Sequence, residues 1–157
     1  MRILDTTASN RSMWYDKNNN YTVFMDKRHE ITTFCQQTIS ILPDVQAVWA
    51  FIPFKSETFD MIIFDPPHII SPPGTAPSGM QRKYGVLYTG SWMNTISTGM
   101  DEMFRVLKPG GILIFKWNDA RIKLSEVLKC IHHKPAFGTR TGTRNNTHWI
   151  TFIKSVQ

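Results

Sequence analysis

The run IIFDPPHII, residues 62–70, closes a stretch of strand-forming apolar residues with Asp65, Pro66, Pro67 and His68. A carboxylate followed by a carbonyl whose direction two prolines fix makes a pair of hydrogen-bond acceptors, the complement of the two N–H groups of a planar amine. An ordinary strand end would explain each residue singly, because proline cannot continue a central strand and an acid there can meet solvent. Their company argues for chemistry. RILD and YTVFMD are further apolar runs that stop at an acid, Asp5 and Asp26, and no acidic residue stands between Pro66 and Met100, where Arg82, Lys83, Tyr84 and Tyr88 are found. That mixture suits phosphate contact and base stacking.

For these residues to meet, the strands must end on one side of a sheet. RILD, YTVFMD, VQAVWAF (45–51), FDMIIFD (59–65) and GILIFKW (111–117) predict five buried strands. Ile31, Phe34, Cys35, Thr38, Ile41 and Leu42 fall at helical spacing before Pro43, and Met93, Ile96, Met100, Phe104 and Leu107 form a second helical stripe closed by LKPGG. Asp119 is expected to cap a third helix with the apolar face Ala120, Leu124, Val127, Leu128 and Ile131. KPAFGTRTGTRNNTHWITFIK predicts two strands, near 135–139 and 147–154, joined by a basic turn that carries Arg140 and Arg144. The fold class expected is α/β: a mostly parallel sheet with an antiparallel C-terminal strand pair and helices on both faces. In such sheets ligands bind outside the carboxyl ends of the strands, where Asp5, Asp26 and Asp65 all fall. Residues 66–90 are expected to form a loop of unusual length facing the substrate.

The 157 residues suit one domain spanning 1–157, and 41% hydrophobic with 19% charged residues is a globular composition. No apolar run reaches the roughly 20 residues of a membrane span, and the N-terminus lacks a signal-peptide core, so a cytoplasmic protein is expected. Two lone cysteines, Cys35 and Cys130, suggest small buried hydrophobes in a reducing compartment. No metal site is expected, because His29, His132, His133 and His148 lack ligand spacing with the cysteines. The net charge of +6 is compatible with a polyanionic partner.

Taken together, RILDTTAS, VFMDKR, PFKSETFDMIIFDPPH and EMFRVLKPGGILIFKW resemble the motifs of the Rossmann-type S-adenosylmethionine-dependent methyltransferases, and within them the nucleic-acid amino-methyltransferases. The resemblance covers nearly the whole chain and is nearest to small phage-borne forms without a target-recognition domain. It implies a Rossmann-like fold and transfer of the methyl group of S-adenosylmethionine to an exocyclic base nitrogen, most simply N6 of adenine in DNA. Cytosine N4, an RNA base and a protein glutamine amide are variants of the same chemistry. Asp65, Pro66, Pro67 and His68 would then be catalytic, with His68 stacking on the target base. Asp5, Thr6, Thr7 and Ala8 would approach the methionine end of the cofactor, Asp26 and Lys27 its ribose, and Trp49 its adenine. Arg82, Lys83, Tyr84, Arg140 and Arg144 would contact nucleic acid; sequence recognition would be short and read by the two basic loops, or supplied by a specificity subunit, and a homodimer is the other partner expected.

Two departures from the family pattern are plain in the sequence. The first turn, DTTASN, has none of the usual glycines, although Ala8 and Ser9 are small and Asn10 tolerates a left-handed conformation; Val48 and Trp49 stand where an acid commonly meets the adenine. These departures leave a second reading from another class, a methyltransferase-like module that binds nucleic acid or a partner without catalysing.

Overall fold

A computed structural model describes residues 1–34, 36–76, 78–141 and 146–156. Its strands are β1 (Ile3–Asp5), β2 (Thr22–Asp26), β3 (Glu30–Phe34), β4 (Gln37–Ile41), β5 (Val45–Gln46), β6 (Phe59–Phe64), β7 (Ile70–Ser71), β8 (Leu87–Tyr88), β9 (Leu107–Asn118), β10 (Phe137–Thr141) and β11 (Thr147–Ile153). The helices are α1 (Gly79–Tyr84), α2 (Trp92–Val106) and α3 (Leu124–Lys129). Seven strands form one sheet in the order β10-β11-β9-β6-β1-β2-β5. The five from β9 to β5 are parallel, and β11 and β10 are added antiparallel. Strand order reverses beside β1: the chain runs from β1 to β2 and β5 on one side, then returns to β6 and β9 on the other. A crevice is expected at the carboxyl ends there.

The sheet is asymmetric in its cover. Leu4, Ile62, Leu113 and Phe152 share one face by register and are fully buried, together with Phe64, Phe115 and Trp117. This face packs on α2 through Ile96, Met100, Met103 and Phe104. Ile112 and Ile114 point to the other face and are only half-buried, and Ile153 on that face is exposed. Gly99 lets α2 approach, since a Cβ there would lie 2.4 Å from Trp49 Cδ1. That contact explains a glycine in mid-helix, a position that otherwise costs about 1 kcal/mol relative to alanine.

Four expected elements differ. The segment around 31–42 is an antiparallel hairpin, β3 with β4, turning at Gln36, whose φ is 63°. Its Ile31, Thr32, Thr33, Thr38, Ile39 and Ile41 are β-branched, and this preference outweighs the coincident helical spacing. Cys35 lies outside the described residues, and Cys130 is the half-buried cap of α3. The strand expected over 45–51 stops at Gln46. The Ala47 N–H goes to the Asp26 carbonyl, a turn closes from Phe51 N–H to the Val48 carbonyl, and Val48 and Phe51 are exposed. Asp119 caps no helix: α3 begins after Lys123, and the Asp119 carboxylate is buried 3.0 Å from His148 Nε2. The stretch 66–90 is more ordered than a loop, because β7 pairs with β8 and α1 lies between them.

Candidate active site

At the crevice β1 runs into the turn Thr6-Thr7-Ala8-Ser9, which backbone and side-chain hydrogen bonds stitch to β2 and β6. Thr6 donates both its N–H and its hydroxyl to the Ile63 carbonyl, Ala8 N–H goes to Met25, and Ser9 N–H to Asp26 Oδ2 at 2.9 Å. Without glycine, the left-handed positions fall at Ser9 and Arg11, at φ 48° and 56°, rather than at Asn10. The Thr7 hydroxyl accepts the Asp65 N–H at 2.9 Å, so the first turn also fixes the start of DPPH.

The turn, the ends of β2, β6 and β9, and α1 enclose a cavity of about 510 Å³. Asp5, Thr6, Thr7, Ala8, Asp26, Lys27, Trp49, Asp65, Pro66, Pro67, His68 and Tyr84 all line it. Arg82 and Lys83 sit on α1 without lining it, Arg140 has its backbone in β10 with its side chain outside the described atoms, and Arg144 lies outside the described residues. His132 and His133 both face Asp101, well away in sequence from the lining residues.

Three carboxylates share the cavity and have different partners. Asp65 meets Lys116 Nζ at 2.7 Å. Asp26 holds the Arg28 guanidinium, with Nε 3.1 Å from Oδ1 and Nη2 3.2 Å from Oδ2, and also accepts the Arg28 N–H. Asp5 meets no cation among the described residues; Trp14 Nε1 at 2.7 Å and Thr7 N–H at 3.0 Å are its donors. Burial therefore raises the Asp5 pKa to about 6, against the lowering effect of those two donors and with smaller repulsion from Asp65 and Asp26. Burial also lowers the pKa of His68, where the attraction of Asp65 works the other way, and this favours a neutral flat ring. Trp49 is chiefly a core residue: it is buried, donates to the Thr95 carbonyl at 3.3 Å and meets Phe64 edge-on, with one edge reaching the cavity.

Lys116 and Arg28 escaped the sequence reading. Lys116 left a trace, a lone cation in the apolar strand GILIFKW, at the rung beyond the Phe64–Phe115 pair and hence beside Asp65. Arg28 left none, because its second set of partners, the carbonyls of Arg82 and Lys83 at 3.1 Å, comes from α1, 54 and 55 residues further along. Through Arg28, which itself lines the cavity, the end of β2 is strapped to the carboxyl end of α1. Gly85, at φ 83° after α1, packs closely on the candidate catalytic loop: a Cβ there would lie 2.8 Å from Pro67 Cγ.

No family model matches the sequence, and no curated protein matches it. Solved structures do match its fold. The PH0226 protein of Pyrococcus horikoshii superposes with a TM-score of 0.63 at 13% identity, over 98% of this chain and 82% of its own. The chain has the fold of S-adenosylmethionine-dependent methyltransferases. Such an enzyme from Methanosarcina mazei matches at a TM-score of 0.54 and 13% identity, over 99% of this chain and 93% of its own. The N-methyltransferase NodS of Bradyrhizobium japonicum does so at 0.57 and 13%, over 98% and 85%. The 1,6-didemethyltoxoflavin-N1-methyltransferase of Burkholderia thailandensis, solved with its substrate and S-adenosylhomocysteine, matches at 0.57 and 11%, over 98% and 71%.

Proposed function

We propose that this protein transfers the methyl group of S-adenosylmethionine to an exocyclic amino nitrogen of a nucleic-acid base, N6 of adenine in DNA. The observation that carries this reading is the convergence of Asp65 and Pro66 with Asp5 and Asp26 on one cavity at the sheet's switch point. The donor set fits the cofactor. Asp26 would offer two acceptor oxygens to the ribose hydroxyls once the Arg28 guanidinium that now occupies them swings away, and Asp5, already poised near neutrality, gains from a cationic amino group at the methionine end. The cavity is of the size such ligands occupy, roughly 300–1,000 Å³. Two of the fold neighbours are named as methyltransferases acting on nitrogen, which supports the choice of atom.

When bound, the cofactor supplies an electrophilic methyl on a sulfonium. The residues of the chain do the rest. An aromatic amine is a poor nucleophile because its lone pair is delocalised into the ring. Asp65 and the Pro66 carbonyl, each accepting one N–H, turn that lone pair out of the ring and stabilise the positive charge that grows on nitrogen. As the N–C bond forms and the C–S bond breaks, nitrogen sheds one proton through the carboxylate to water. Pro67 stiffens the loop, and a neutral His68 offers a flat face to a base turned out of its stack. The test is incubation with radiolabelled cofactor and DNA: the wild type labels the DNA and Asp65→Ala loses that labelling by at least 100-fold, on the order of 3 kcal/mol of transition-state stabilisation. Equal labelling by the variant would sink the mechanism.

One observation favours the reading as a non-catalytic module. All four acceptor positions of Asp26 are taken, three by Arg28 and one by Ser9. A ribose can be held only if the guanidinium withdraws. Calorimetric titration separates the readings: S-adenosylhomocysteine binding supports the enzyme, whereas DNA binding without it supports the module. Sequence specificity in either case would come from short basic segments or from a partner subunit.

A further inference from the structure

We infer that Lys116 is a specificity-determining residue, which donates a hydrogen bond to the ring nitrogen beside the target amine and so restricts the substrate to bases carrying an N=C–NH2 edge. The inference rests on the amino-methyltransferase reading and deepens it. Lys116 lies on the same sheet face as Asp65, and both line the cavity with Pro66 and His68. Its ammonium has three N–H donors. Asp65 Oδ2 takes one at 2.7 Å; the other described polar neighbour is Met13 Sδ at 3.8 Å, a weak acceptor, and the Trp149 ring lies 5.6 Å away. A strong donor therefore adjoins the cavity with little among the described residues to satisfy it.

The ion pair also decides how Asp65 is used. With Oδ2 engaged by Lys116, Oδ1 is left to join the Pro66 carbonyl in accepting the two amine hydrogens. The site then presents an acceptor and, one atom away, a donor. Adenine matches this with the N6 amine and N1, and cytosine with the N4 amine and N3. An aliphatic amine has no such acceptor and would meet the cation unpaired, which disfavours it. In a purine the N7 edge lies on the other side of the amine and is not read by this pairing.

The test uses wild type, Lys116→Met and Lys116→Arg with single-stranded oligonucleotides of mixed sequence. Every adenine is left intact, replaced by 1-deazaadenine, or replaced by 7-deazaadenine. Methyl transfer gives kcat/KM, and fluorescence anisotropy gives binding without cofactor. Wild type should prefer adenine over 1-deazaadenine by roughly 10- to 100-fold, the discrimination expected of a charged hydrogen bond. Lys116→Met should lower transfer to both and bring that ratio down at least fivefold, Lys116→Arg should restore part of it, and the 7-deaza ratio should be equal in all three. Loss of a merely structural lysine would depress both substrates alike and leave the ratio unchanged. An unchanged ratio in Lys116→Met, or a discrimination that moves to 7-deazaadenine, overturns the inference while leaving the methylation reading intact. No transfer by wild type to the unmodified oligonucleotide overturns the methylation reading and the inference with it.

Discussion

Asp5, 1% exposed and with no cation partner among the described residues, is a carboxylate whose charge state changes near neutrality. Its folded pKa of about 6 lies above the ordinary 3.8, so the folded chain holds that proton more tightly than the unfolded chain. The contribution favours folding while Asp5 is protonated, declines as pH rises from about 4 through 6, and leaves the ionised group costing about 3 kcal/mol above that range. Urea denaturation of wild type and Asp5→Asn should accordingly show wild type losing about 3 kcal/mol relative to the variant between about pH 4 and pH 7.5. A constant difference would contradict the assignment. A cationic cofactor group brought to Asp5 lowers its pKa, so binding near pH 6 should release protons, measurable as a buffer-dependent calorimetric enthalpy. At this scale the sequence was informative: an acid that ends an apolar run marks itself, and Asp5, Asp26 and Asp65 all reach the cavity. Lys116 and Arg28 depend on strand register and on a distant helix, which no local pattern encodes.

At the scale of elements, α1 and the end of β2 are coupled by one side chain. Arg28→Ala would remove the strap and leave the Asp26 carboxylate buried without its cation. The account expects opposite effects: a loss of stability of about 3 kcal/mol, and tighter binding of S-adenosylhomocysteine by roughly tenfold, because the ribose acceptor is freed. Calorimetry and thermal denaturation read the two, and weaker binding in a folded variant would show that Arg28 helps hold the cofactor instead. Gly99→Ala tests the packing of α2. Its methyl would press on Trp49 and cost about 1–3 kcal/mol by overpacking, read by chemical denaturation. An unchanged midpoint would show that Trp49 has room to move. The strands that bear the site were legible because parallel buried strands read as apolar runs. The β3–β4 hairpin was not, because Ile31, Phe34, Thr38 and Ile41 fall at helical spacing, and the competing signal, the β-branched content of Thr32, Thr33 and Ile39 between them, becomes decisive only through pairing across the turn at Gln36.

For the whole molecule, strand order determines the site more than any motif does. β1 between β2 and β6 brings three strand-ending acids to one crevice, and the antiparallel addition of β11 to β9 sets Thr147 at its rim and Trp149 across from Lys116. The likeness to solved structures at 11–13% identity, methyltransferases among them, is a likeness of fold. Among the described residues no helix is long and apolar enough to cross a membrane. The chemistry assigned to the crevice is tested most directly by nucleoside analysis. Unmethylated DNA is incubated with S-adenosylmethionine and either wild type or Asp65→Ala, digested, and resolved by mass spectrometry. The account predicts N6-methyladenine with wild type and none above background with the variant; no methylated nucleoside with wild type, in a protein shown to bind the cofactor, would contradict it.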